Sequence, residues 1–137
     1  MVAKKGTKTE TKQDNTMAVL THLLGIFVGF LGPLIVLLAT KDTNLKNHAR
    51  KALNWQLTCT ILSIIILFIV FVGIFGSMLL IMVNPIFFAL YFLSFALMIP
   101  LMLISIVNLA FCIIAAVKAN EGTLWNYPFS IQILKTE

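Results

Sequence analysis

Apolar residues run almost unbroken from Met17 to Ala39 and again from Leu57 to Val117, with a polar interval between them and a polar segment at each end. From Ala52 through Val117 there is no Asp, Glu, Lys or Arg. A helix needs roughly 20 apolar residues to cross the hydrocarbon core, so the pattern predicts an all-α integral membrane helical bundle. The first span is expected over about 17–39 and the second over about 54–76. The third is expected over about 93–117, after a break at Asn84-Pro85, a turn and helix-start pair. Pro100 is read as a kink inside the third span, because Phe95 to Ile104 contains no polar turn residue. A loop there would leave backbone amides unsatisfied. Cutting at Pro100 as well gives the alternative of four spans.

The polar interval has its own period. Leu45, Ala49, Ala52, Leu53 and Gln56 fall on one stripe, and Lys46, Asn47, Arg50, Lys51 and Asn54 on the other. This predicts an interfacial amphipathic helix over about 44–54, after the first span, with Trp55 at the headgroup level. Thr43 or Asn44 is expected to cap it, and it is expected to run on into the second span. Residues 1–16, rich in Lys and Thr, are expected to form a disordered basic tail. The transmembrane domain then covers 17–134, and 135–137 is the C-terminal end. The first apolar run exceeds the 7–15 residues of a signal-peptide core and is read as a retained span.

Within that span Gly25, Gly29 and Gly32 are candidate helix-packing positions. Gly25-x-x-x-Gly29 is a small-residue pair one turn apart, and Pro33 predicts a kink. Asn108 is expected to bond a neighbouring helix, since an unpaired amide in lipid is costly.

Hydrophobic residues make up 60% of the chain and charged residues 11%, where a soluble domain averages about 25% charged. The net charge of +5 comes from ten Lys and Arg in the tail, the polar interval and the C-terminal segment. There they face lipid headgroups rather than nucleic acid. With three spans, six of them lie on the loop side and four on the tail side, which weakly favours a cytoplasmic loop and C-terminus. Cys59 and Cys112 sit in apolar segments and read as small fillers. His22 and His48 are expected near opposite interfaces, unable to share an ion, and no metal or cofactor site is predicted. No catalytic constellation occurs, so the chain is not expected to be an enzyme. The spans lack the ionisable residues of a coupled carrier.

Three segments carry a resemblance: Met17 to Gly25 with Gly32 to Ile35, Asn47 to Gln56, and Ala116 to Gly122 leading to Trp125 to Pro128. Together they resemble a family of small bacterial membrane proteins that is similar to the Tic-type (Tic-twenty) subunit of the chloroplast inner-envelope import channel. The resemblance implies a multi-pass protein of the bacterial cytoplasmic membrane, linked to protein or peptide traffic. If the last two segments share a face, His48, Asn54, Gln56, Trp125, Asn126 and Tyr127 form one interfacial patch where a protein partner binds. Equally, the patch anchors the bundle at the headgroups. Pro128 would end any helix there, letting Phe129, Ile131 and Ile133 alternate against the membrane surface. The expected function is a non-enzymatic interaction or scaffold subunit. Its alternatives are a homo-oligomeric pore assembled through Gly25 and Gly29, and protection against membrane-active peptides.

Overall fold

Among the described residues five helices follow one another: α1 (Thr7–Val28), α2 (Leu31–Ala39), α3 (Thr43–Leu80), α4 (Ile86–Ala96) and α5 (Met98–Asn120). The computed structural model describes residues 7–136, with side chains from residue 15 onward, and these residues contain no strand.

The apolar run 17–39, which by length suits one crossing, is cut in two. Val28 ends α1, and Gly29 follows with φ +61°, the left-handed conformation that stops helices and that glycine takes without strain. Pro33 sits in the first turn of α2, where a missing N–H breaks no helical bond. The chain then doubles back. A Cβ placed on Gly32 would stand 2.6 Å from Leu24 Cβ, and Val36 packs against the cluster that contains Ala18. In a single helix, residues eight apart are about 12 Å apart, so α1 and α2 form an antiparallel hairpin. Its apolar arms, residues 17–28 and 31–39, reach about 18 and 14 Å, short of a hydrocarbon core of about 30 Å. The expected first span is therefore a hairpin. Gly29 is its stop and Gly32 its point of close approach.

α1 also begins at Thr7, inside the stretch expected to be a disordered tail; residues 1–6 of that stretch lie outside the described residues. Glu10, Lys12 and Gln13 are good helix formers, and an existing helix propagates more easily than a new one nucleates.

α3 is continuous over 38 residues, its amphipathic start running on into the apolar remainder without a break. Its cap is Asp42 rather than Thr43 or Asn44. The Asp42 carboxylate accepts the N–H groups of Asn44 and Leu45 at 3.3 and 2.9 Å, at the positive end of the helix dipole. Residues Ile86–Asn120 form the second stretch long and apolar enough to cross a membrane, interrupted at Leu97. Pro100 accounts for the interruption: it has no N–H to offer the carbonyl of Ala96, and its ring clashes with that carbonyl. Two helices thus meet the length for crossing, where three spans were expected.

The chain packs as two units, one of residues up to Thr58 with those from Asn108, the other of residues 59–107. In the first, Ala18 of α1, Leu45 of α3 and Ala119 of α5 share a buried cluster. The Asn15 amide donates to the Asn120 carbonyl at 3.2 Å. In the second, α3 meets α4 where the Ser94 hydroxyl occupies the space a side chain on Gly73 would need. Large apolar side chains such as Phe68, Phe71, Leu79 and Phe92 point outward, the surface expected of a chain dissolved in lipid.

Substitutions at three glycines should separate these roles. Gly32→Val drives a methyl group into Leu24 and should cost about 1–3 kcal/mol. Gly29→Ala forces a side chain into the left-handed region and should cost about 1–2 kcal/mol. Gly76 meets nothing within 4 Å, so Gly76→Ala should be neutral or stabilising. Thermal unfolding in detergent, followed by reaction of a thiol-specific fluorophore with the buried Cys59 and Cys112, reads all three.

Candidate functional site

The polar side chains of the first unit converge where α1, the start of α3, the end of α5 and the C-terminal segment meet. α3 contributes most of them: His48 and, about two turns further on, the consecutive Asn54, Trp55 and Gln56, all buried.

His22 is completely buried on α1. Its Nδ1 lies 2.9 Å from the Tyr127 hydroxyl and its Nε2 lies 3.1 Å from Nδ1 of His48. A neutral imidazole carries a single N–H, so the two bonds must run in one direction. Either Tyr127 donates to His22, which donates to His48, or the order is reversed. If both rings were doubly protonated, two N–H groups would face one another. The expectation that the histidines lie near opposite interfaces is corrected: α2 returns the chain alongside α1, so that α3 sets off beside it and His48 meets His22. Two imidazoles fall short of the three or four ligands of a zinc site, and the described residues contain no group of three metal-ligating side chains.

A second network centres on Asn108 of α5. Its Oδ1 accepts the Trp55 indole N–H at 2.9 Å, the Gln56 amide at 3.0 Å and the Cys112 thiol at 3.5 Å. Gly25 makes room for it. An added Cβ there would lie 2.7 Å from Gln56 Nε2, so a side chain on α1 would push the amide off Asn108. Gly25 therefore packs within the monomer, against a polar side chain of α3.

The C-terminal segment is tied to α3 by a third set. The Asn54 amide donates to the Leu134 carbonyl and its Oδ1 accepts the Leu134 N–H, both at 2.8 Å. The Thr58 hydroxyl accepts the Ile131 N–H at 3.0 Å and donates to the Asn54 carbonyl. The Trp55 and Tyr127 rings stack 9° from parallel with centroids 5.5 Å apart, and Phe111 and Trp125 close the aromatic cluster edge-on.

Of the six residues expected in one interfacial patch, His48, Asn54, Gln56 and Tyr127 are buried, Trp125 is half-buried and Asn126 is exposed. The structure gathers them but turns the buried four inward onto α1, α5 and the C-terminal backbone. Reading by segment missed His22 and Cys112 as members, because each becomes a neighbour only once the hairpin and α5 are packed.

Residues 13–134 match the magnetosome magnetite crystal formation protein family. No curated protein and no solved structure matches the chain. The segments taken to resemble the chloroplast import-channel subunit fall within those residues, and this family match replaces that resemblance. The association with protein or peptide traffic, which rested on it, is dropped.

Asn108→Leu should strand the Trp55 indole N–H, leave the Gln56 amide on the weak Cys112 sulfur, and cost about 2–3 kcal/mol in detergent unfolding, with a changed Trp emission. Tyr127→Phe removes the hydroxyl partner of the buried His22 Nδ1 and should cost about 1–2 kcal/mol. Equal stability of both variants and the parent would show that these contacts hold nothing together.

Proposed function

The chain belongs to the magnetosome magnetite crystal formation protein family, and from that premise we propose that it is a non-enzymatic scaffold of the magnetosome membrane. In this reading it acts in crystal formation through its lipid and protein neighbours. The match over residues 13–134 carries the proposal. The polar core supports it: His22, His48, Asn108, Gln56 and Cys112 bond one another, so their chemistry serves packing.

The hairpin also bears on orientation. The cluster of Ala18, Leu45 and Ala119 joins the starts of the α1 arm and of α3 to the end of α5. Lys41, Lys46, Arg50, Lys51 and Lys118 flank those ends, Lys135 follows the Leu134 that Asn54 binds, and Lys4, Lys5, Lys8 and Lys12 precede Asn15. Among the residues with described side chains, Lys41, Lys46, Arg50, Lys51, Lys118 and Lys135 thus make up one basic face of the first unit, and the sequence of the Ile81 to Pro85 turn has no cationic residue. The positive-inside rule makes the basic face cytoplasmic, with two crossings of a bacterial membrane. The Ile81 to Pro85 turn offers no carboxylate, imidazole or thiol to an iron ion or an oxide surface, and it is assigned no mineral contact.

Deleting the chain in a magnetite-forming host should change crystal size or number, and the full-length chain should restore both; unchanged crystals would refute the proposal. Orientation is read with a membrane-impermeant maleimide in a Cys59→Ala, Cys112→Ala background. Asn84→Cys should react on intact spheroplasts and Thr123→Cys only after the membrane is opened. The opposite pattern would invert the assignment.

A further inference from the structure

Beyond α5 the chain forms a strap with no helix, pinned to α3 through Ile131 on Thr58 and Leu134 on Asn54. Ahead of these pins lies a tight turn: the Ser130 N–H donates to the Tyr127 carbonyl at 3.4 Å, with Pro128 second and Phe129 third. Phe129 has φ +64°, the only non-glycine residue with positive φ among the described residues. Proline second and a left-handed third residue is the type II pattern, whose third position suits glycine or asparagine. A bulky residue there is an outlier that packing must justify. Packing does not: Phe129 is 90% exposed, while Tyr127 beside it is 6% exposed. The turn holds a large apolar ring outside the fold at a cost in backbone strain.

The position of the turn along α3 names what covers the ring. Thr58 stands near the start of the charge-free run that begins at Ala52, just past the amphipathic segment. That is the level at which headgroups give way to acyl chains. Ile131 and Ile133 are also more than half exposed. Lys135 follows Leu134, and Lys51 lies one helical turn before Asn54. Apolar side chains below cations at that depth are the composition of an interfacial anchor.

We propose that the Tyr127–Ser130 turn is a membrane-insertion tip. Its Phe129 ring, with Ile131 and Ile133, lies among the acyl chains of the leaflet at the basic face, under anionic headgroups that meet Lys51 and Lys135. Insertion holds the strap against α3 and so keeps Tyr127 on His22. The inference rests on the membrane reading and is independent of the role in crystal formation.

The test uses the full chain in nanodiscs of phosphatidylcholine and phosphatidylglycerol. An environment-sensitive fluorophore is attached at Phe129→Cys in the Cys59→Ala, Cys112→Ala background. Quenching by spin-labelled acyl chains, with little quenching by iodide, is the expected result. Quenching by iodide alone would show a solvated turn, and shielding from both would show a protein contact; either overturns the proposal. Phe129→Gly provides a second reading, since it relieves the strained φ while removing the ring. It should unfold in detergent no earlier than the parent, yet trypsin should cut after Lys135 in nanodiscs about tenfold faster. Equal cleavage rates would overturn the proposal.

Discussion

A chain dissolved in lipid has no water to satisfy the polar groups it buries, so every such group has to find its partner inside the protein. Apolar burial cannot draw helices together there, because lipid tails are as apolar as leucine. Close packing and side-chain hydrogen bonds remain, and here they tie the first unit together. His22 to His48 joins α1 to α3, Asn108 to Trp55 and Gln56 joins α5 to α3, and Asn54 to Leu134 joins the C-terminal strap to α3. Tyr127 on His22 links the strap to α1. Each bond crosses between elements distant in the chain, so the loss of one exposes partners on two of them.

The hairpin follows from the same requirement. Without the return at Gly29, His22 would travel away from α3 and stay in lipid with two ring nitrogens to satisfy. Turning back sets it on His48, lets Gly25 receive Gln56 and lets Gly32 rest on Leu24. It also brings Asn15 to the end of α5.

The helical class was legible in the sequence because the exclusion of charge over Ala52 to Val117 leaves no other way to satisfy the backbone in lipid. So was the passage of the amphipathic segment into a long helix, since no breaker stands between Asn44 and Leu57. The hairpin was not. Gly29, Gly32 and Pro33 suit both a kinked span and a stop followed by a restart, and apolar length records no direction. The pairing of His22 with His48 depends on that turn, and so it was hidden as well. Depth along the sequence suggested opposite interfaces, whereas the two rings are in contact. Asn54, Gln56 and Tyr127 carry polar tips that alternation alone cannot assign to the inside or the outside of an interfacial segment.

The central claim is that residues 17–39 enter and return on one side. It is tested most directly by double electron–electron resonance in nanodiscs, with spin labels at Met17→Cys and Glu121→Cys in a chain lacking Cys59 and Cys112. The hairpin predicts a single short separation, about 20 Å or less with the label linkers included, since Asn15 and Asn120 are in contact. A distribution centred at or beyond about 30 Å, the thickness of the hydrocarbon core, would place the two ends on opposite faces and contradict the account.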